Sequence, residues 1–414
     1  MKVVGPSALV LITVLGAGAW HTTRAEEATR NFEIYGFVMA DWIQDTKRVD
    51  PSWQDAFRPS RIAAPEGEFG SNGQSSLSVK QSRFGVKGTM PTSDHAPPVN
   101  FKFEFDMFGV GADAGKTTIR LRHAYGEWGQ LLAGQTHSLF MDIDVFPNVI
   151  DYWGPPGMVF FRNAQVRWTA YRTANDSIAV AIERPGNDVD SGTIRTVQGF
   201  ENAVVRADQT LPDFTGQYRH DDNWGHYQLG VIFRKVGFEY SLAPCPNPPV
   251  PGCEPYQKGH QTGWGFDLSS AINTIDKDKL LLSLVYGSGI ASYMNDGGMD
   301  IAPTTLPTGT PGAQGIGSEA VPLTGVMVYY DHYWNNMYST TLGYSYTSVA
   351  NTDLQNTTAF HKGQYASINL LSYPAPKVMV GIELMYGKLE NRDGTTGNDV
   401  RFQFSAKYDF GAKL

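Results

Sequence analysis

Basic side chains recur on one face of the alternating runs in the first half of this chain. They are Arg83 and Lys87 in "SRFGVKG", Lys102 in "VNFKFEFDMF", Arg120 and Arg122 in "TIRLRHAY", and Arg167 in "QVRWTA". Guanidinium and ammonium groups gathered on one surface attract carboxylates and phosphates and, in the case of arginine, fork onto them, so this set could select small anions. Glu104 and Asp106 follow the same period, and Glu183 lies further on, so the same cations could instead be neutralised in place. A second set is acidic. "FMDIDVFPNVIDYWGPPGMVFF", residues 140–161, carries Asp142, Asp144 and Asp151 among apolar side chains and is broken by Pro147, Pro155 and Pro156. Its "DIDVFPNVID" run has the first spacings of a calcium loop. Phe146, however, occupies a ligand position and Pro147 replaces the turn glycine, so no metal is assigned.

Other chemistry fails on spacing. "GVGADAGKTT", residues 109–118, resembles a phosphate-binding loop, but Val110 stands where the first glycine is needed and a strand-like run follows instead of a helix. No G-x-S-x-G or H-E-x-x-H motif occurs and the nine histidines are scattered, so no catalytic residue and no cofactor are assigned, and the chain reads as a non-enzyme.

The elements that carry these residues alternate with period two. Phe101, Phe103, Phe105 and Met107 oppose Lys102, Glu104 and Asp106; Ile119, Leu121 and Tyr125 oppose Arg120 and Arg122; Phe402, Phe404, Ala406, Tyr408 and Phe410 oppose Arg401, Gln403, Ser405, Lys407 and Asp409. This predicts sixteen strands, at 32–45, 75–90, 99–109, 117–128, 130–140, 162–172, 177–185, 211–220, 225–242, 259–272, 279–291, 322–333, 337–349, 362–373, 377–389 and 400–411. Parity changes between Val79 and Phe84, which predicts a bulge and leaves Lys80 unassigned. The links alternate in length: "GQ", "TAND", "WNN" and "YPAPK" are short, whereas 46–74, 141–161, 186–210, 243–258 and 292–321 are long.

An even number of strands, apolar on one face and charged on the other, with short and long links in alternation, predicts an all-β, sixteen-stranded antiparallel transmembrane barrel. In hydrocarbon a closed sheet is the one strand arrangement that satisfies every backbone group. The apolar face then meets outer-membrane lipid and the charged face lines water. Trp42, Tyr125, Trp128, Tyr329, Tyr330, Trp334, Tyr338, Tyr373, Tyr386 and Tyr408 are expected in the interfacial girdles. Parity places the six basic residues in the lumen and His123 outward at a subunit interface. The segment 141–161 becomes the third external loop, folded inward so that its apolar side touches the wall and its aspartates face the channel.

Composition agrees. A mean hydropathy of −0.29 and the lack of a long apolar run after the first residues exclude a helical membrane protein. "MKVVGPSALVLITVLGAGAWHTTRAEE" reads as a signal peptide cleaved after Ala25, leaving residues 26–414 as the barrel and moving the net charge from −8 to −10 by the loss of Lys2 and Arg24. That charge argues against a nucleic-acid partner. Cys245 and Cys253, in "CPNPPVPGC", are expected to form a disulfide in an exported protein.

The strings "VKQSRFGVKGTMPTSD", "VNFKFEFDMFG", "TIRLRHAYGEW", "LLAGQTHSLFMDIDVFPNVIDYWGP" and "AIERPGNDVD" resemble the DcaP-like outer-membrane porins. The resemblance implies a homotrimer of sixteen-stranded barrels, each with a constriction loop, in the outer membrane of a Gram-negative bacterium, passing small anionic solutes such as dicarboxylates. The chain departs from the family in having no N-terminal coiled-coil run and in ending "YDFGAKL", although Tyr408 and Phe410 still supply an aromatic pair for assembly. The alternative is a receptor or adhesin barrel that binds partners through loops 46–74 and 292–321.

Overall fold

The computed structural model describes residues 30–93, 96–197, 200–241, 257–307 and 314–414. The expected signal segment 1–25 and the Cys245–Cys253 pair lie outside the described residues. In chain order the strands are β1 (Asn31–Asp45), β2 (Gln74–Ser78), β3 (Arg83–Met90), β4 (Val99–Phe108), β5 (Thr117–Trp128), β6 (Leu131–His137) and β7 (Arg162–Arg172). Then come β8 (Asp176–Glu183), β9 (Val204–Ala207), β10 (Asp213–Asp222), β11 (Gly225–Ser241), β12 (Gln257–Asn273), β13 (Lys279–Ser288), β14 (Ile301–Pro307) and β15 (Gln314–Ala320). The last five are β16 (Pro322–Tyr333), β17 (Tyr338–Val349), β18 (Phe360–Ala375), β19 (Val378–Asn391) and β20 (Thr396–Lys413).

Eighteen of these form one antiparallel sheet, which closes where β1 pairs β20 from Glu33↔Lys413 to Asp45↔Arg401. Both β2 and β3 pair β1, and both β9 and β10 pair β11; each couple is one stave interrupted midway, so the closed barrel has sixteen staves. The break between β2 and β3 is the predicted change of parity. It turns Lys80 inward, where it pairs with Asp55 and donates to the Gly115 carbonyl at 2.7 Å. The predicted strands match these staves to within a few residues; β9 and the β14–β15 hairpin, inside the long links 184–212 and 289–321, were not anticipated.

The wall follows the alternation. Phe103, Ile119, Val166, Ile182, Phe233 and Leu268 project outward and are exposed, as lipid contact requires. Trp42, Trp128, Trp334, Tyr338, Tyr386 and Tyr408 are likewise exposed on the outside. Three expected girdle aromatics face the lumen instead. Tyr329 is fully buried with its hydroxyl 3.1 Å from Ser367, Tyr373 accepts from Asn148 Nδ2 at 3.1 Å, and Tyr125 stands opposite Lys102 on the same face.

The space inside the barrel is filled from above by two loops. Loop 3 (138–161) contributes Val145, Met158 and Val159, which are buried against Leu281, Met327 and Tyr365 of the wall or against Val285 and Leu323. Loop 1 (46–73) contributes Val49, Phe57 and Ile62 to the same cluster as Met158. Burying a large apolar side chain stabilises by roughly 1.5–3 kcal/mol, so a handful on each loop is enough to hold both in place.

Candidate functional site

The basic residues lie in cross-strand rows on the inner faces of β3, β4 and β5. Arg83, Asp106 and Arg120 form one row; Gly85, Glu104 and His123 the next; Lys87, Lys102 and Tyr125 a third. Facing residues of antiparallel strands share a side, so Asp106 is bracketed by Arg83 and Arg120 within its row, and Glu104 meets cations of the neighbouring rows. Arg120 forks onto Asp106 through Nε at 3.1 Å and Nη2 at 2.7 Å. Arg122 bridges the rows, donating to Glu104 at 2.7 Å and to Asp106 at 3.0 Å. Lys102 and Arg83 approach Glu104 at 3.3 and 3.6 Å. Gly85 leaves room for the ring of Tyr35, which donates to Glu104 at 2.7 Å; a β-carbon at Gly85 would come within 2.6 Å of that hydroxyl. Four cations thus surround two carboxylates. Lys87 lies apart, half exposed, 3.5 Å from Glu33, and Arg167 donates to the His137 carbonyl at 2.6 Å and to Gln165 at 3.0 Å.

A bulge changes the expected facing of His123. The register between β4 and β5 slips between Glu104 and Phe105, so Arg122 is an extra residue and both it and His123 turn inward. His123 is buried beside Thr136, 3.0 Å away, and is not at an outer interface. The same slip moves Tyr125 from the lipid face to the lumen.

Apart from one 3-10 turn at Ile143–Val145, loop 3 runs inside the barrel without regular structure, so most of its backbone groups must find partners elsewhere. The wall supplies them. Glu383 accepts from Ile150 N at 2.6 Å, Ser345 from Gly157 N at 2.8 Å, and Gln403 and Gln81 donate to the Ile150 carbonyl at 3.0 and 2.8 Å. The loop backbone also lies flush on the wall: a β-carbon at Gly157 would come within 2.3 Å of the Tyr346 carbonyl, and one at Gly325 within 2.4 Å of the Gly157 carbonyl. On the other side Tyr152 stacks on Phe108, with ring centroids 4.1 Å apart, and donates to Asp106 at 2.6 Å. The basic rows therefore also hold the loop, through a tyrosine and not through its aspartates.

Two of the three loop aspartates do not face the channel as expected. Asp151 is buried and accepts from the backbone of Phe57, Trp153 and Gly154 at 3.0, 3.1 and 2.8 Å. Burial raises its pKa, against the opposing pull of Arg401 and these hydrogen bonds. Asp142 is buried against β11 and β12, 2.8 Å from both His226 Nε2 and Ser269 Oγ. Desolvation works against its charge, but the bond to His226 and the charge there outweigh it and hold its pKa below the usual aspartate value. Asp144 is exposed and pairs with Arg219 at 2.8 Å. Oxygen and nitrogen atoms of Asp142, Asp144 and His226 lie within 4.8 Å of one another, the spacing of a cation site, but Arg219 already supplies a positive charge there, 3.5 Å from Asp142.

Loop 1 is the larger surprise. It folds inward like loop 3, and the two meet where Trp53 packs edge-on against Trp153, centroids 4.8 Å apart. Arg58 lies in the angle between those indoles, its Cζ 4.2 and 4.5 Å from their centres, and donates from Nε and Nη2 to one oxygen of Asp296 at 3.0 and 2.7 Å. Burial lowers the Arg58 pKa, with Asp296 pulling the other way. Above the basic rows the loops leave a cavity of about 750 Å³ lined by Arg58, Arg61, Arg120 and Arg162, with Trp153 and Phe160 among them and Asp188, Asp190 and Asp296 also on its lining. Arg58, Arg61 and Arg162 were not singled out from sequence. A signal for loop 1 existed: "PSWQDAFRPSRIAAP" has the same mixture of aromatics, acids and prolines as loop 3.

Residues 57–223 match the family model described as DcaP outer membrane protein. The fold is similar to that of the outer membrane channel DcaP of Acinetobacter baumannii, at 24% identity over 93% of this chain and 99% of that one, with a TM-score of 0.70. It is also similar to an anion-selective porin from Comamonas acidovorans (11%; 92% and 100%; 0.56) and to OmpF of Salmonella typhi in complex with daunomycin (9%; 92% and 97%; 0.54). No curated protein matches the sequence. Residues 57–223 are thus similar to the DcaP outer membrane proteins, and the closed sixteen-stave sheet has the fold of outer-membrane channels.

Proposed function

We propose that this barrel is a passive channel preferring small anions of dicarboxylate size, working as a homotrimer after export and signal cleavage following Ala25. The observation that carries the anion preference is the excess of Arg83, Lys102, Arg120 and Arg122 over Glu104 and Asp106 on one side of the lumen. Much of the acid elsewhere on the wall is covered: Glu383 and Asp331 bind the backbone of loop 3, and Asp45 is forked by buried Arg401 at 2.6 and 2.9 Å. A pore whose accessible charge is mostly basic attracts anions. The Comamonas porin described as anion-selective shares the fold, and OmpT of Vibrio cholerae, similar at 11% identity with a TM-score of 0.52, has a trimer form. Loop 1 is spent inside the barrel, which weighs against the receptor reading.

Single-channel reversal potential under a KCl gradient tests this. The native protein is expected to favour chloride, and the Arg120→Ala/Arg122→Ala variant, which leaves Asp106 and Glu104 undercompensated, to lose that preference. Cation preference in the native channel would refute the proposal.

A further inference from the structure

Two places on the lipid-facing side of the wall repeat one arrangement. Between β8 and β10, Asp176 stands opposite His220; between β13 and β16, the ladder that pairs Lys279 with Asp331 brings Asp278 opposite His332. In each set the tyrosine two residues before the histidine donates to the same carboxylate, Tyr218 at 2.8 Å and Tyr330 at 2.9 Å. The histidine meets that carboxylate through Nδ1, at 2.9 Å for His220 and 2.6 Å for His332. A tryptophan completes each set. Trp224 stacks on Tyr227, whose ring lies 5.4 Å from that of His220, and Trp334 stands edge-on to His332 at 4.3 Å. The tyrosines sit beside exposed Ile178 and Leu229 in one set and Leu342 in the other, so both sets mark the periplasmic edge of the apolar belt.

Ionisable groups that face lipid are costly and usually mark a function. Among the described residues the histidine is the one ion partner of each carboxylate; Lys277, in the same turn as Asp278, donates to Asn336 at 2.9 Å instead. A carboxylate only accepts, so Nδ1 carries the hydrogen between the two groups, which leaves Nε2 of a neutral ring as an acceptor. Neither Nε2 has a partner among the described residues. Each set thus presents a nitrogen lone pair, a carboxylate behind it and aromatic faces beside it, which together suit a small cation.

We propose that the two sets are headgroup sites for a phospholipid of the periplasmic leaflet that carries a primary ammonium. The ammonium donates to Nε2 and lies against the tryptophan and tyrosine rings, the carboxylate adds its attraction, and the acyl chains run along the apolar belt. This goes beyond the channel reading and does not depend on ion preference, because it concerns how the barrel is seated in its membrane.

The test is native mass spectrometry of the full-length barrel released from vesicles of phosphatidylethanolamine and phosphatidylglycerol in equal amounts. The native protein is expected to retain phosphatidylethanolamine in preference, one molecule for each set. His220→Phe/His332→Phe keeps an aromatic ring at both places and removes the acceptor nitrogen; it is expected to lower the retained phosphatidylethanolamine about threefold or more. Equal retention of the two lipids by the native protein, or a preference for phosphatidylglycerol, which would point to the phosphate, overturns the proposal. So does a double variant that holds phosphatidylethanolamine at the native level. Should the double variant fail to insert, the single variants decide: each is expected to lose one of the two lipids, and an unchanged number overturns the proposal. Reversal potential under a KCl gradient should be the same for native and variant channels, so this inference and the anion-channel reading fail separately.

Discussion

Asp106 is the residue on which the basic rows turn. It accepts two bonds from Arg120, one from Arg122 and one from Tyr152, so it neutralises the pore and anchors loop 3 at once. Asp106→Asn keeps the shape and removes one negative charge. The expected result is a reversal potential shifted further toward the chloride limit, opposite in sign to the Arg120→Ala/Arg122→Ala variant. A shift toward potassium would mean that Asp106 does not reach the ions. Arg401 is the counterpart without access to the pore: it is fully buried, forks onto Asp45 across the β1–β20 seam and also donates to the Gln54 carbonyl at 3.0 Å. Removing one partner of such a pair strands a buried charge and costs about 3–5 kcal/mol. Arg401→Ala should lower stability by that amount in denaturant unfolding from detergent, with selectivity unchanged in whatever fraction inserts.

At the scale of the element, loop 3 is held by contact of backbone on backbone. Gly325 on β16 has the Gly157 carbonyl where its β-carbon would be, at 2.4 Å, and a carbonyl in the loop cannot swing aside as a side chain would. Gly325→Val should push the loop off the wall at a cost of about 1–3 kcal/mol of overpacking. A raised single-channel conductance and faster swelling of liposomes in larger sugars are the expected readouts; native values for both would show that the loop does not set the narrowest section. The segment that looked contradictory in sequence is resolved by this seating. Its prolines and lack of period leave backbone groups free, and wall residues such as Glu383, Ser345 and Gln403 take them up.

For the molecule as a whole, acid acts on the loop through two groups with opposite signs. Asp142 has a lowered pKa, so its contribution to seating is complete above the ordinary aspartate value of about 3.9 and is lost as pH falls below it. Asp151 has a raised pKa, so its contribution is complete below that ordinary value and is lost as pH rises through its own, higher one. Around neutral pH the attachment at Asp142 is intact. Open-channel noise should therefore rise when pH drops below about 4, and Asp142→Asn should be noisy already at neutral pH; an equally quiet variant would show that the His226 and Ser269 contacts do not hold the loop. The proposed homotrimer should appear as three-step closures in single-channel records and as a trimer on unheated electrophoresis.

The barrel was legible because period-two alternation against lipid is a local requirement: each residue's face follows from its neighbour's, and the link lengths alternate with the two sides of the membrane. The rows of basic residues on β3 to β5 were legible for the same reason. What failed was whatever depended on a slip of that period or on contacts distant in sequence. The bulge at Arg122 turned His123 and Tyr125 inward, and nothing local marks it. The burial of Asp142 and Asp151 was set by His226 and by the backbone of Phe57, 84 and 94 residues away. Which cations are neutralised follows from how two inward loops pack across the lumen, because charge pairing depends on distances that only the closed barrel fixes.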